Sequence, residues 1–133
     1  MKSFVFWTGL ISVLAGASLQ VPEISSTLMR TESSGMLMHL FGLMAVFIGI
    51  MLMLCSRDLK RRGTLVLWEG LLRVGGFGIM AGYGLLGGAG PSVAATGLFD
   101  LAVGMIYLIA LPKYLGVGLV DLLLDRSAAA QIK

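Results

Sequence analysis

The chain has 133 residues, of which 57% are hydrophobic and only 13% are charged, and its formal net charge at pH 7 is +3. A soluble domain of this length cannot bury so large an apolar fraction, because a small protein keeps much of its surface in solvent. The composition therefore excludes an ordinary soluble domain and indicates one membrane domain over residues 1–133. Nucleic acid is not an expected partner, because the cations lie between apolar runs, as topology signals do.

Four apolar segments are long enough to cross a bilayer, which takes roughly 20 residues. In chain order they are residues 4–21, 36–55, 64–86 and 95–111. The first segment also imitates a secretory signal, and we interpret it as the first span. After Pro112, residues 114–126 are apolar but too short to cross, so we expect a short interfacial helix there, or a cap packed on the bundle. The predicted fold class is all-α, a polytopic four-transmembrane-helix bundle.

The distribution of cations predicts the orientation of this bundle. With four spans, the N-terminus, the second loop and the C-terminus share one side of the membrane. That side holds eight cations, and the other side holds only Arg30. Because positive residues stay in the cytoplasm, both ends are expected to be cytoplasmic, in a cell membrane that we take to be the bacterial inner membrane. The eight are Lys2, Arg57, Lys60, Arg61, Arg62, Lys113, Arg126 and Lys133.

Four ionisable side chains lie within the predicted spans: His39, Glu69, Arg73 and Asp100. A charged side chain at the bilayer centre costs on the order of 2.5–3.5 kcal/mol, so such residues usually face the bundle interior and pair with one another. From the rise per residue, Glu69 lies roughly 9 Å and Arg73 about 3 Å to the cytoplasmic side of the midpoint of their helix. Asp100 lies about 5 Å, and His39 about 10 Å, toward the opposite face. The four residues therefore predict a polar ladder across the membrane.

Three interpretations of the ladder remain open. It can be structural, with Arg73 neutralised by two carboxylates and His39 as a hydrogen-bonding partner. It can line a polar cavity for a proton, an ion or the head group of an amphiphile. His39 could also ligate a haem or a pigment, with a partner supplying the second ligand. We identify no catalytic residue and no metal site, and the sequence leaves any cofactor unknown.

Glycines share helix faces with these polar residues, as expected where membrane helices approach closely. On the fourth span, Asp100 shares its face with two glycines and with Tyr107. A second glycine face on the third span is expected to meet another helix or another subunit. The glycines predicted to pack helices are Gly42, Gly49, Gly76, Gly78, Gly82, Gly97 and Gly104.

The third span begins Trp68-Glu69 with Arg73 one turn later, and a short glycine-rich loop follows it. In these features, in length and in its four close-set spans, the chain resembles the DoxX-like group of small bacterial four-helix membrane proteins. The resemblance covers most of the chain. It implies a bundle that acts beside a quinone-linked or other membrane partner.

Three functional hypotheses follow. The chain can be a non-catalytic bundle that binds a lipid or small molecule, or that serves as a subunit of a larger membrane complex. It can be a small oligomeric transporter or channel that uses the intramembrane polar network. It can also be a membrane enzyme or redox subunit, for which only His39 and the carboxylates could serve. The first is favoured, because nothing in the sequence demands chemistry and the glycine faces supply contact surfaces. The expected partners are membrane lipids and a second copy or another membrane protein.

Overall fold

A computed structural model describes residues 1–21, 35–87 and 91–126, and their regular structure is entirely helical. No strand occurs within these three ranges. The predicted first loop, with Arg30, and the last residues of the chain lie outside them. The five helices are α1 (Lys2–Ser18), α2 (Gly35–Arg57), α3 (Leu59–Leu85), α4 (Pro91–Leu115) and α5 (Leu119–Leu123).

Three of the described helices are long and apolar enough to cross a membrane. The qualifying stretches are His39–Arg57, Leu59–Leu85 and Gly97–Leu115, whereas α1 is apolar but shorter, with 17 residues. Large apolar side chains, such as Phe47 and Ile79, are exposed on these helices. Soluble monomers rarely expose extensive apolar surface, so the helices indicate a multi-pass membrane protein.

The chain divides into two compact units at the junction between α2 and α3. The first unit, Lys2–Asp58, is a hairpin of α1 and α2. Its helices meet at two pairs of glycines. A Cβ added at Gly9 would lie 2.7 Å from the carbonyl oxygen of Gly49, and one added at Gly42 would lie 2.7 Å from that of Gly16. The helix backbones are therefore in direct contact at both points, which a larger side chain would prevent.

The second unit begins at Leu59 and pairs α3 with α4, with α5 against both. The closest approach is between Gly70 and Gly104, where a Cβ at Gly104 would lie 2.7 Å from the carbonyl oxygen of Gly70. One helical turn away, the side chain of Tyr107 is fully buried. Aliphatic side chains fill the remainder of this core, and those that are fully buried are Leu59, Val66, Leu67, Leu111 and Leu122.

The segment predicted as a basic second loop is almost entirely helical. Arg57 ends α2, Asp58 forms a turn, and α3 begins at Leu59. Lysine and arginine are good helix formers, so the charged residues do not interrupt the backbone. Gly63 is also helical. It lies where α4 approaches α3, and a Cβ there would lie 2.7 Å from Cδ1 of Leu115.

The fourth helix also ends later than the sequence predicts, at Leu115 rather than before Pro112. Proline removes only one backbone donor, and a single turn of helix remains after it. The stop is at Gly116, which has φ +69°. The N–H of Val117 donates to the carbonyl of Pro112 (3.1 Å) and that of Gly116 to the carbonyl of Lys113 (3.4 Å). These two bonds form a Schellman motif, in which a left-handed glycine ends the helix.

The predicted C-terminal helix is shorter than expected, at Leu119–Leu123, and it folds back onto the start of α3. The hydroxyl of Thr64 lies 2.9 Å from the carbonyl oxygen of Leu122 and 2.8 Å from Oδ1 of Asp125. The indole N–H of Trp68 donates to the carbonyl of Leu123 at 3.3 Å. Three polar contacts thus attach this segment, which we call the C-terminal foot (residues 119–125), to α3.

Candidate functional site

The second unit brings three of the four predicted ladder residues together. The guanidinium of Arg73 donates through Nε to Oε1 of Glu69 and through Nη1 to Oδ1 of Asp100. Both contacts are ion pairs. The side chains are 3% exposed for Glu69, 11% for Arg73 and 24% for Asp100. We call these three residues the polar cluster.

Local sequence places each member of the polar cluster. Glu69 and Arg73 stand four residues apart on α3, the spacing at which an acid and a following base meet on one helix face. Asp100 comes from α4, one turn before Gly104. Because Gly70 and Gly104 bring the two backbones into contact, Arg73 can reach across to Asp100. A Cβ at Gly104 would lie 3.2 Å from Cβ of Arg73, which shows how closely the arginine stem packs on α4.

The charges of the polar cluster do not balance when all three groups are ionised. Two carboxylates and one guanidinium sum to one net negative charge. The second oxygen of Glu69, Oε2, is also buried and has no hydrogen-bond partner within the described parts of the chain. A buried carboxylate oxygen without a donor is costly, because the group has lost water and gained nothing in return.

Tyr107 belongs beside this cluster, although sequence reasoning placed it only on the same face as Asp100. It is fully buried and interacts electrostatically with Arg73. Its position, seven residues after Asp100, was the signal that could have identified it, since residues i and i+7 share a helix face. Its side chain packs against α3 at Gly70, where an added Cβ would lie 2.9 Å from Cβ of Tyr107.

His39 lies on α2, in the other unit, so its predicted place in the ladder stays a prediction. The side chain of Gln20 donates through Nε2 to the backbone carbonyl of His39 at 2.9 Å, which joins the end of α1 to the start of α2. The imidazole nitrogen Nδ1 is buried and has no hydrogen-bond partner among the residues that the structure describes.

The glycines selected for helix packing fall into two groups. Gly42 and Gly49 lie against α1, and Gly97 and Gly104 lie against α3, each with a neighbouring atom within about 3 Å of an added Cβ. The others face open space, because an added Cβ would meet no atom within 4 Å. That second group comprises Gly76, Gly78 and Gly82, and Gly75 shares the property.

No group of three or more His, Cys, Asp or Glu side chains within the described ranges could hold a metal ion. What the cluster offers chemically is two carboxylates held by one arginine. Such a set can bind a cation or pass a proton, and it can also serve only to hold two helices together.

Comparison of the chain with protein-family models, with curated proteins and with solved structures found no match. The resemblance to DoxX-like proteins therefore stays a resemblance of pattern, and the function is argued from the residues themselves.

Proposed function

We propose that this chain is a non-catalytic membrane protein that binds a lipid or small molecule, alone or as a subunit of a larger membrane complex. The polar cluster of Glu69, Arg73 and Asp100 would be the polar end of its binding site. The proposal includes four spans with both ends in the cytoplasm, in a bacterial inner membrane. It rests chiefly on one observation, the buried Oε2 of Glu69, which has no partner within the described residues.

That oxygen favours binding over a purely structural role. A cluster that only holds helices together is most stable when every buried donor and acceptor is satisfied, because a partly satisfied network is worse than an apolar contact. When all three groups are ionised, the polar cluster leaves an acceptor and one formal negative charge uncompensated. A bound donor that carries a positive charge would satisfy both, which supports a ligand site here.

The proposed topology is supported by α1 and by the start of α3. At 1.5 Å per residue, α1 is about 25 Å long, close to the hydrocarbon thickness of about 30 Å. Lys60, Arg61 and Arg62 occupy the first turn of α3, where cations oppose the helix dipole. Three cations at this position destabilise the helix itself. Their presence is explained if this end of α3 lies on the cytoplasmic side of the membrane, where Lys and Arg are enriched.

The proposed membership in an oligomer or a larger complex is supported by the outer glycines of α3. Gly75, Gly78 and Gly82 have nothing within 4 Å of an added Cβ, and the last two border a shallow apolar groove with Tyr83 and Leu86. Glycine faces of this kind let a second membrane helix approach closely. The occupant would be a second copy of the chain or another membrane protein.

Native mass spectrometry of the protein released from mild detergent tests the proposal. We expect one small molecule or lipid to be retained at fixed stoichiometry by the wild-type chain, and to be lost from Glu69→Gln and Asp100→Asn. Asp121→Asn is the matched control, because Asp121 is exposed on α5. No retained molecule, together with cluster variants that only lose stability, would contradict the proposal and leave the structural role.

The same spectra address the alternative function, a small oligomeric transporter. A bare and discrete homo-oligomer that moves protons or ions in vesicles, and loses that flux in Asp100→Asn while remaining folded, would replace binding with transport.

Topology is tested separately in a Cys55→Ser background with Ser3→Cys. In sealed inside-out vesicles, a membrane-impermeant maleimide should label this residue, and in right-side-out vesicles it should not.

A further inference from the structure

The polar cluster has an accessible edge, and this edge is on Asp100. Its side chain is 24% exposed, whereas that of Glu69 is 3% exposed. Oδ1 of Asp100 accepts from Nη1 of Arg73. A ligand that approaches between α3 and α4 therefore meets a carboxylate first, with the arginine held behind it.

The charge at that edge selects the sign of the ligand. Arg73 is shared between two acids, so the three ionised groups together carry one net negative charge. An anion would meet this net charge and an exposed carboxylate, and it would be repelled. A cation would restore neutrality in a region where an uncompensated charge is expensive.

The free oxygens of the cluster select the chemistry of the cation. Ionised carboxylates accept hydrogen bonds and donate none. Hydrogen bonds between charged partners are roughly twice as strong as neutral ones. Because Oε2 of Glu69 is buried without a donor, the cluster is short of N–H or O–H groups and not only of positive charge. An ammonium group that carries N–H donors supplies both.

The surroundings require that such an ammonium be part of an amphiphile. Large apolar side chains are exposed on both helices, among them Leu72 and Ile79 on α3 and Leu98 and Phe99 on α4. Since these helices are apolar enough to lie in a membrane, a ligand that reaches Asp100 from the lipid must carry an apolar tail. A small hydrophilic cation would have to leave water without compensation for the rest of its surface.

We infer that the site at Asp100 binds the protonated primary amine of an amphiphile, either a free long-chain amine or the head group of an ethanolamine lipid. This inference rests on the proposed function and names the ligand class of the same site. The ammonium donates to the accessible carboxylate of Asp100 and to Oε2 of Glu69, which otherwise lacks a donor. Arg73 holds the two acids in place through its ion pairs.

The test compares three twelve-carbon probes on the full-length protein in phosphatidylcholine nanodiscs, with empty nanodiscs as the blank. Dodecylammonium has N–H donors, dodecyltrimethylammonium has the same charge but no donors, and dodecyl sulfate has the opposite charge. By calorimetry, we expect one equivalent of dodecylammonium to bind about tenfold or more tightly than dodecyltrimethylammonium, since a hydrogen bond to a charged group contributes this much. Dodecyl sulfate should not bind above the blank. This comparison needs no variant, so it is unaffected if a variant misfolds.

Variants then locate the site. Asp100→Asn should weaken dodecylammonium binding about tenfold or more, since it removes the contacting charge. Glu69→Gln should also weaken binding, because the remaining pair of Arg73 and Asp100 is neutral. Asp121→Asn should bind like the wild type. Equal binding of the two ammonium probes, tighter binding of dodecyl sulfate, or an equal loss in Asp121→Asn would overturn the inference.

The two sources of the amine are separated in nanodiscs that contain equal amounts of ethanolamine and choline lipids. Selective retention of the ethanolamine lipid in native mass spectra, lost in Asp100→Asn, identifies a lipid head group. Binding of dodecylammonium without that selectivity identifies a free amine, and either outcome supports the inference. Failure of both overturns it. The proposed function would still stand if another molecule co-purifies with the wild type and is lost from Glu69→Gln, and it would fall only if none does.

Discussion

Gly70 of α3 and Gly104 of α4 lie in backbone contact, and this contact determines the geometry of the polar cluster. A Cβ at Gly104 would lie 2.7 Å from the carbonyl oxygen of Gly70, and one at Gly70 would lie 2.9 Å from Cβ of Tyr107. Arg73 stands one turn from this point on α3, and Asp100 one turn from it on α4. The two charged groups meet because the helices between them have no side chains at the crossing.

Gly104→Ala should therefore weaken both the fold and the site. The added methyl group would require the helices to separate, and overpacking of this kind costs about 1–3 kcal/mol. Gly76→Ala is the matched control, because a Cβ at Gly76 meets no atom within 4 Å, and its effect should stay within about 0.5 kcal/mol. Denaturation in mixed micelles, followed by circular dichroism, measures the difference. Equal stability of the two variants would show that the close contact is absent.

Removal of Arg73 should be the most damaging change in the polar cluster. Arg73→Gln leaves two carboxylates facing each other, and loss of one partner from a buried ion pair costs about 3–5 kcal/mol. Asp100→Asn should cost less, because Arg73 and Glu69 remain as a balanced pair. In a double-mutant cycle, the two changes should show a coupling energy of about 0.5–3 kcal/mol. Arg73→Gln combined with Asp121→Asn provides the control and should be additive. Additivity of the first pair would mean that Arg73 and Asp100 do not interact.

The helical class and the approximate positions of the long helices could be predicted from hydropathy, because roughly 20 apolar residues have few alternatives to a helix. The boundaries could not. The sequence predicts a stop at Pro112, but proline is tolerated when a single turn follows it, and the stop is made by Gly116 in a left-handed conformation. The basic run that includes Lys60 looks like a loop, because charge signals topology, but charge does not prevent helix formation.

The polar cluster was predictable in part. The pairing of Glu69 with Arg73 follows from their spacing on one helix, and the involvement of Asp100 follows from the cost of an isolated charge in lipid. The choice among glycines was not predictable from spacing. Gly42 and Gly76 share the same kind of pattern with a polar residue, yet only the first has a neighbour in its hairpin. Which face a glycine presents to a partner depends on the helix crossing, which periodicity alone does not determine.

The glycine contacts between α1 and α2 should be essential for the first hairpin. A Cβ at Gly49 would lie 2.7 Å from Cγ2 of Val13 and 2.8 Å from its backbone nitrogen. Gly49→Ala should therefore lower stability by about 1–3 kcal/mol. Val13→Ala in the same chain should restore little of the loss, because the added Cβ would still lie 2.5 Å from the backbone oxygen of Gly9. If Gly49→Ala is as stable as the wild type, or if Val13→Ala restores full stability, the backbone contact of α1 with α2 is contradicted.

The last prediction concerns the C-terminal foot. The single hydroxyl proton of Thr64 can serve the carbonyl of Leu122 or the carboxylate of Asp125, which has φ +54°. Thr64→Val keeps the shape of the side chain but removes these contacts, and the foot should loosen with a loss of about 0.5–1.5 kcal/mol, the usual net value of one hydrogen bond. Hydrogen exchange over residues 119–125 should therefore become faster, whereas Thr64→Ser, which keeps the hydroxyl, should exchange like the wild type. Unchanged exchange in Thr64→Val would mean that the burial of Leu122 and the Trp68 hydrogen bond hold the foot without Thr64.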